Sequence, residues 1–134
     1  MRFLFLGLAL PLMAELHTLR VEFEPSGCTA CIESLEGRLK RMRGVDEVKV
    51  DGEDAIEMKL AAGNRVRLEI VRDFVEQGGG KVRRMSVEAT GKVVDGQFEL
   101  SGVGAKYPLD GAGKDGRVKA VLNDARKLIW KIVD

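Results

Sequence analysis

Residues that carry most enzyme chemistry are scarce in this sequence. Its 134 residues include two cysteines, one histidine, one tyrosine and one tryptophan. The single histidine, His17, stands at the start of a predicted strand and is expected to be a surface residue. No glycine-rich phosphate loop follows a predicted strand, and no pair of carboxylates stands out as a general acid and base. We therefore expect a protein that is not an enzyme.

An excess of either charge is also missing. The chain has 22 basic and 21 acidic residues, and 45% of its residues are hydrophobic. This composition is typical of a globular protein. A chain without a basic excess lacks the electrostatic footprint of nucleic-acid-binding proteins, so we expect no nucleic-acid partner.

The long hydrophobic run lies at the start of the chain and is too short for a membrane span. Residues 3–13 are almost uninterrupted apolar residues between Arg2 and Ala14, whereas a spanning helix needs about 20. The alternative is a buried first strand or helix, which Pro11 disfavours. We interpret residues 1–14 as a signal peptide. The mature protein is then expected to be extracytoplasmic (periplasmic or secreted), with no membrane attachment after cleavage.

Hydrophobic spacing alternates between two periods over residues 15–90. Period-two alternation predicts strands, apolar residues at helical spacing predict helices, and glycines end the helical stretches. The second helix is predicted to start at Asn64 and to stop at Gly78. The predicted strands are 19–23, 48–50, 56–60 and 82–89, and the predicted helices are 32–43 and 64–77. This order predicts an α+β fold, the ferredoxin-like β-α-β-β-α-β sandwich.

Residues 91–134 are predicted to form a small β-rich extension. The Asp95-Gly96 turn between residues 92–94 and 97–101 predicts a hairpin. The last segment, 117–133, fits an amphipathic helix, and it also fits two β-rich runs around Asn123-Asp124. We favour the β interpretation because the hairpin precedes it.

The two cysteines form a Cys28-x-x-Cys31 motif between the first strand and the first helix. A helix N-terminus favours the thiolate, which is the form that binds metal or attacks a disulfide. The spacing puts one sulfur in the loop and the other in the first helical turn, so both can reach one ion. Structural zinc requires four ligands, and this chain has too few Cys and His to supply them. Two thiolates instead suit a soft ion such as Cu(I).

On this motif and the element order around it, residues 19–89 resemble the heavy-metal-associated domain family, of the copper-chaperone and periplasmic mercury-binding type. The resemblance includes Cys28-x-x-Cys31, the helix that follows, the Gly44-Val45 junction and the alternating Val48-x-Val50. It implies that Cys28 and Cys31 bind one soft monovalent or divalent metal ion, copper in the first place and mercury in the second. It also implies a metal-transport partner with a similar cysteine site, and a role in metal delivery, storage or detoxification.

Two alternatives to a metal site remain open for the cysteine pair. An exported pair can be a redox-active dithiol, or an inert disulfide in an interaction module. Thioredoxin-like catalysis is disfavoured because the element order differs and Trp-Cys-Gly does not precede the motif. A disulfide that closes a loop of only four residues contributes about 2 kcal/mol to the stability of the folded protein.

Overall fold

The computed structural model describes residues 15–25, 27–78 and 80–134. The predicted signal peptide therefore lies outside the described residues. Within them the chain is α+β, with two helices and an eight-stranded sheet whose strands pair antiparallel. The elements in order are β1 (Glu15–Phe23), α1 (Thr29–Lys40), β2 (Val45–Asp51), β3 (Ala55–Leu60), α2 (Leu68–Gly78), β4 (Val82–Val94), β5 (Gln97–Leu100), β6 (Ala105–Pro108), β7 (Gly116–Leu122) and β8 (Lys131–Ile132).

The β-α-β-β-α-β start predicted from hydrophobic spacing is confirmed. The first four strands lie side by side in the order β2-β3-β1-β4. In the centre, Val21 of β1 stands in register with Ile56 of β3 and with Met85 of β4, and all three are fully buried. Buried residues of α1 and α2 join them in one hydrophobic cluster, so the helices cover this face of the sheet.

The predicted start of the second helix at Asn64 is wrong, because α2 begins at Leu68. Asn64 is a buried loop residue whose amide nitrogen donates to the carbonyls of Leu16 (2.9 Å) and Ala61 (2.7 Å). Its side-chain oxygen accepts from Val66 N at 3.1 Å. Asparagine therefore organises the turn before the helix and does not cap the helix itself.

Residues 91–134 are β-rich, and the helical interpretation of the last segment is wrong. β4 continues without a break to Val94 and turns at Asp95-Gly96, both with positive φ, into the predicted hairpin. β7 returns to pair with the first part of β4, and β8 pairs with β7. The extension therefore adds β7 and β8 to the main sheet, and it also supplies the hairpin that follows residue 90.

Aromatic residues of the extension pack into the common core. Trp130 is completely buried and stacks on the rings of Phe98 and Tyr107, with centroid distances of 5.0 and 5.3 Å. The Tyr107 hydroxyl accepts from Leu68 N at 3.3 Å and donates to Glu69 Oε1 at 2.8 Å, at the start of α2. One hydrophobic cluster contains buried residues from both sides of residue 90. The division of the chain into two parts at this residue remains a prediction.

Candidate metal site at the cysteine pair

The cysteine pair lies where β1 gives way to α1. Gly27 adopts φ +74°, a conformation that glycine reaches without strain. Cys28 follows as the N-cap residue, with extended backbone, and its carbonyl accepts the first helical hydrogen bond from Ile32 N at 3.2 Å. Its sulfur accepts from Cys31 N at 3.1 Å. Cys28 thus fills the capping position that Ser, Thr or Asp usually takes.

The structure brings Cys28 and Cys31 together as a disulfide, with their Cα atoms 5.2 Å apart. Both residues are half-buried, and the intervening Thr29 and Ala30 are exposed. The pair is therefore open to a reagent from solvent. In this oxidised state neither sulfur is a thiolate, so metal binding requires prior reduction.

The electrostatics at this end of α1 favour the thiolate once the bond is reduced. The first turn of the helix carries no acidic side chain, so nothing there offsets the partial positive charge of the unpaired N–H groups. The hydrogen bond from Cys31 N falls on the Cys28 sulfur. Of the two, Cys28 is the thiol whose charged form the helix terminus stabilises directly.

Gly80 and Lys81, between α2 and β4, contact Glu24, which lies four residues before Cys28. Glu24 N donates to the carbonyl of Lys81 at 2.8 Å, and a Cβ on Gly80 would overlap the Glu24 carbonyl oxygen. Glu76 holds the start of β4 through Val82 N, at 3.1 Å, and also binds Arg126 of the extension. Sequence reasoning missed this contact, since Arg126 and Glu76 are 50 residues apart.

Within the described part of the chain, further metal donors do not converge on the cysteine pair. Among the described residues no group of three or more His, Cys, Asp or Glu side chains could hold a metal ion. His17 lies at the opposite end of β1, where its Nε2 shares a 2.6 Å hydrogen bond with Thr90 Oγ1. Met58 and Met85 are buried in the core, so they pack there and are not available as metal donors at the pair.

Comparison of the chain with models of protein families, with curated proteins and with solved structures finds no match. Within residues 15–25, 27–78 and 80–134, neither helix is long and apolar enough to cross a bilayer.

Proposed function

We propose that the reduced protein binds one soft metal ion, Cu(I) or Hg(II), through Cys28 and Cys31. The observation that carries this proposal is the pair of half-buried cysteines at the N-terminus of α1, one at the N-cap and one in the first turn. Two thiolates without a third donor suit soft ions of low coordination number. The ion is cargo for delivery, storage or detoxification outside the cytoplasm, and the protein is not an enzyme.

We also propose that residues 15–90 have the ferredoxin-like fold and belong to the heavy-metal-associated type. The strand order β2-β3-β1-β4, with both helices packed into the core of one face, supports this proposal. The cysteine motif between β1 and α1 supports it too. The expected partner is a metal-transport protein with a similar pair of cysteines.

Metal binding through this pair requires a reductant, which we take to be a dithiol. One thiolate of the dithiol attacks the disulfide, forms a mixed disulfide and releases one cysteine of the chain. The second thiol of the reductant then displaces the other cysteine and leaves as a disulfide. Two electrons pass to the chain, Cys28 and Cys31 become thiols, and both lose their protons when the ion binds.

A thiol redox or interaction module is the second candidate, and the disulfide in the structure favours it. A half-buried pair at a helix N-terminus, with a stabilised Cys28 thiolate, can exchange electrons with a partner without binding metal. This candidate predicts rapid exchange with disulfide substrates and no tight metal binding.

The test is an anaerobic titration of the reduced protein with Cu(I), Hg(II) and Zn(II) in the presence of a competing chelator. We expect one Cu(I) or Hg(II) per chain and much weaker Zn(II) binding, because zinc lacks its third and fourth ligands. Cys28→Ser and Cys31→Ser should each abolish binding. Thr29→Ser, an exposed change within the same motif, is the matched control and should bind normally. Undiminished soft-metal binding by the double serine variant would contradict the proposal.

A further inference from the structure

The face of the main sheet opposite the helices is covered by no element of the described chain. A shallow trough of about 630 Å³ crosses it, lined by side chains of β1, β2, β3, β4 and β7 and by Val133. Inward residues of these strands belong to the core, whereas the alternate residues point outward and are exposed or half-buried. A polar outer face is usual for an antiparallel sheet, so the arrangement of its charges decides whether it has a further role.

One row of outward side chains crosses five strands with a regular order of charge. The strand register places Glu47 beside Lys59, Lys59 beside Thr18, Thr18 beside Glu88, and Glu88 beside Lys119. The charges read negative, positive, neutral, negative, positive. Positions at equal distance on either side of Thr18 therefore carry opposite charges.

From this order we infer that the open sheet face is the interface of a symmetric homodimer. Two copies are placed with their open sheet faces toward each other, related by a two-fold axis that is parallel to β1 and passes between the two Thr18 residues. The row of one copy then lies over the same row of the second copy in reversed order. Lys59 of one copy then faces Glu88 of the second copy, and Glu47 faces Lys119 of the second copy. Each contact occurs twice, as an isologous interface requires, and the row has four complementary pairs.

The adjacent row is compatible with the same axis. It reads Lys49, Glu57, Arg20, Ser86 and Val121 across the same strands. The axis places Glu57 over the Ser86 hydroxyl of the second copy. It also places Lys49, on the edge strand β2, over Val121 of the second copy, where the alkyl part of lysine can contact valine while its ammonium stays in water. Arg20 faces Arg20 of the second copy, but each guanidinium is bonded within its own chain to Asp51 (2.9 Å) and Glu57 (2.7 Å). The trough beside Thr18 and Ser86 leaves room for these long side chains.

The footprint indicates a weak dimer that is sensitive to salt. Neighbouring strands are about 4.8 Å apart and residues rise about 3.3 Å, so β2 to β7 span roughly 19 Å by 20 Å. This is roughly 400 Å² on each copy, or about 800 Å² in total, which is below the specific class and in the range of weak, transient interfaces. Because its complementarity is ionic and partly exposed, we expect the dissociation constant to rise with ionic strength.

Sedimentation equilibrium of the full chain, over protein concentration at low and high salt, tests this inference. We expect a monomer–dimer equilibrium. Lys59→Glu and Glu88→Lys each create two like-charge contacts by symmetry and should weaken the dimer more than about tenfold. Lys127→Glu, the same charge change on an exposed loop residue, is the control and should dimerise normally. Thermal unfolding verifies that each variant folds, since Glu88→Lys also removes the Glu88–Arg117 pair.

Mixing the two reversed variants gives the sharper result. In the heterodimer, the introduced glutamate of the Lys59→Glu chain faces the introduced lysine of the Glu88→Lys chain. The unchanged Glu88 of the first chain also faces the unchanged Lys59 of the second, so both contacts are attractive. Two variants that are monomeric alone should therefore associate when mixed, with an affinity near that of the natural chain. A protein that stays monomeric at every concentration would overturn the inference. So would a dimer indifferent to both reversals, or reversed variants that fail to associate on mixing.

Discussion

Replacing Trp130 with alanine should unfold the part of the chain that holds the cysteines, although Trp130 lies in the C-terminal extension. The indole is 0% exposed and stacks on Phe98 and Tyr107. Truncation of a buried Trp costs about 3–5 kcal/mol, and loss of two ring stacks adds about 0.5–1.5 kcal/mol each. The total of about 4–8 kcal/mol is comparable with the whole stability of many domains, about 5–15 kcal/mol.

Urea unfolding followed by far-UV circular dichroism measures this effect. Both helices lie within residues 29–78, so the helical band reports on the region around the cysteines while the substitution lies outside it. Trp130→Phe is the control. It keeps an aromatic ring in the stack and removes Nε1, a buried donor without a partner among the described residues, so it should cost only roughly 1 kcal/mol. An unchanged urea midpoint in Trp130→Ala would refute a core shared across residue 90.

Three further predictions concern the tyrosine, one glycine and the disulfide. Burial and the hydrogen bond to Glu69 raise the pKa of Tyr107 well above its usual range, so ultraviolet titration of this sole tyrosine should show no ionisation near pH 10 in the folded protein. Stability should fall as pH rises above about 10, because only the unfolded tyrosine ionises there; a normal titration would contradict this. Gly80→Ala should lower the thermal unfolding temperature of the protein more than Gly96→Ala does. Both have positive φ, but only Gly80 abuts the Glu24 carbonyl, and equal losses would count against the close approach. Reduction of the disulfide should cost only about 2 kcal/mol in urea unfolding, and loss of the helical band on reduction would show a larger structural role.

The order of strands and helices through residue 90 could be predicted because it depends on local periodicity. The alternation of apolar and polar residues in β1 and the helical spacing of apolar residues in α1 each show which side of the element is buried. Both patterns can be seen within a few consecutive residues. The Asp95-Gly96 hairpin was equally predictable, since its turn needs two residues with positive φ. The location of the cysteine pair followed from the same boundaries.

Contacts between distant residues could not be predicted in this way. The start of α2 depends on Tyr107, whose hydroxyl binds Leu68 N from 39 residues away. Asn64 reads as a helix start in sequence, but its partner Leu16 lies 48 residues before it. The extension was ambiguous for a related reason, because pairing of β7 with β4 decides between strand and helix there.

Native mass spectrometry after exposure to Cu(I) and a competing ligand tests the central claim most directly. Three samples are compared: the reduced protein, its disulfide form, and the Cys28→Ser/Cys31→Ser variant. We predict one copper ion on each reduced chain and none on the other two, because only the reduced pair offers two thiolates. Copper bound equally by the disulfide form or by the double variant would contradict a metal site at Cys28 and Cys31.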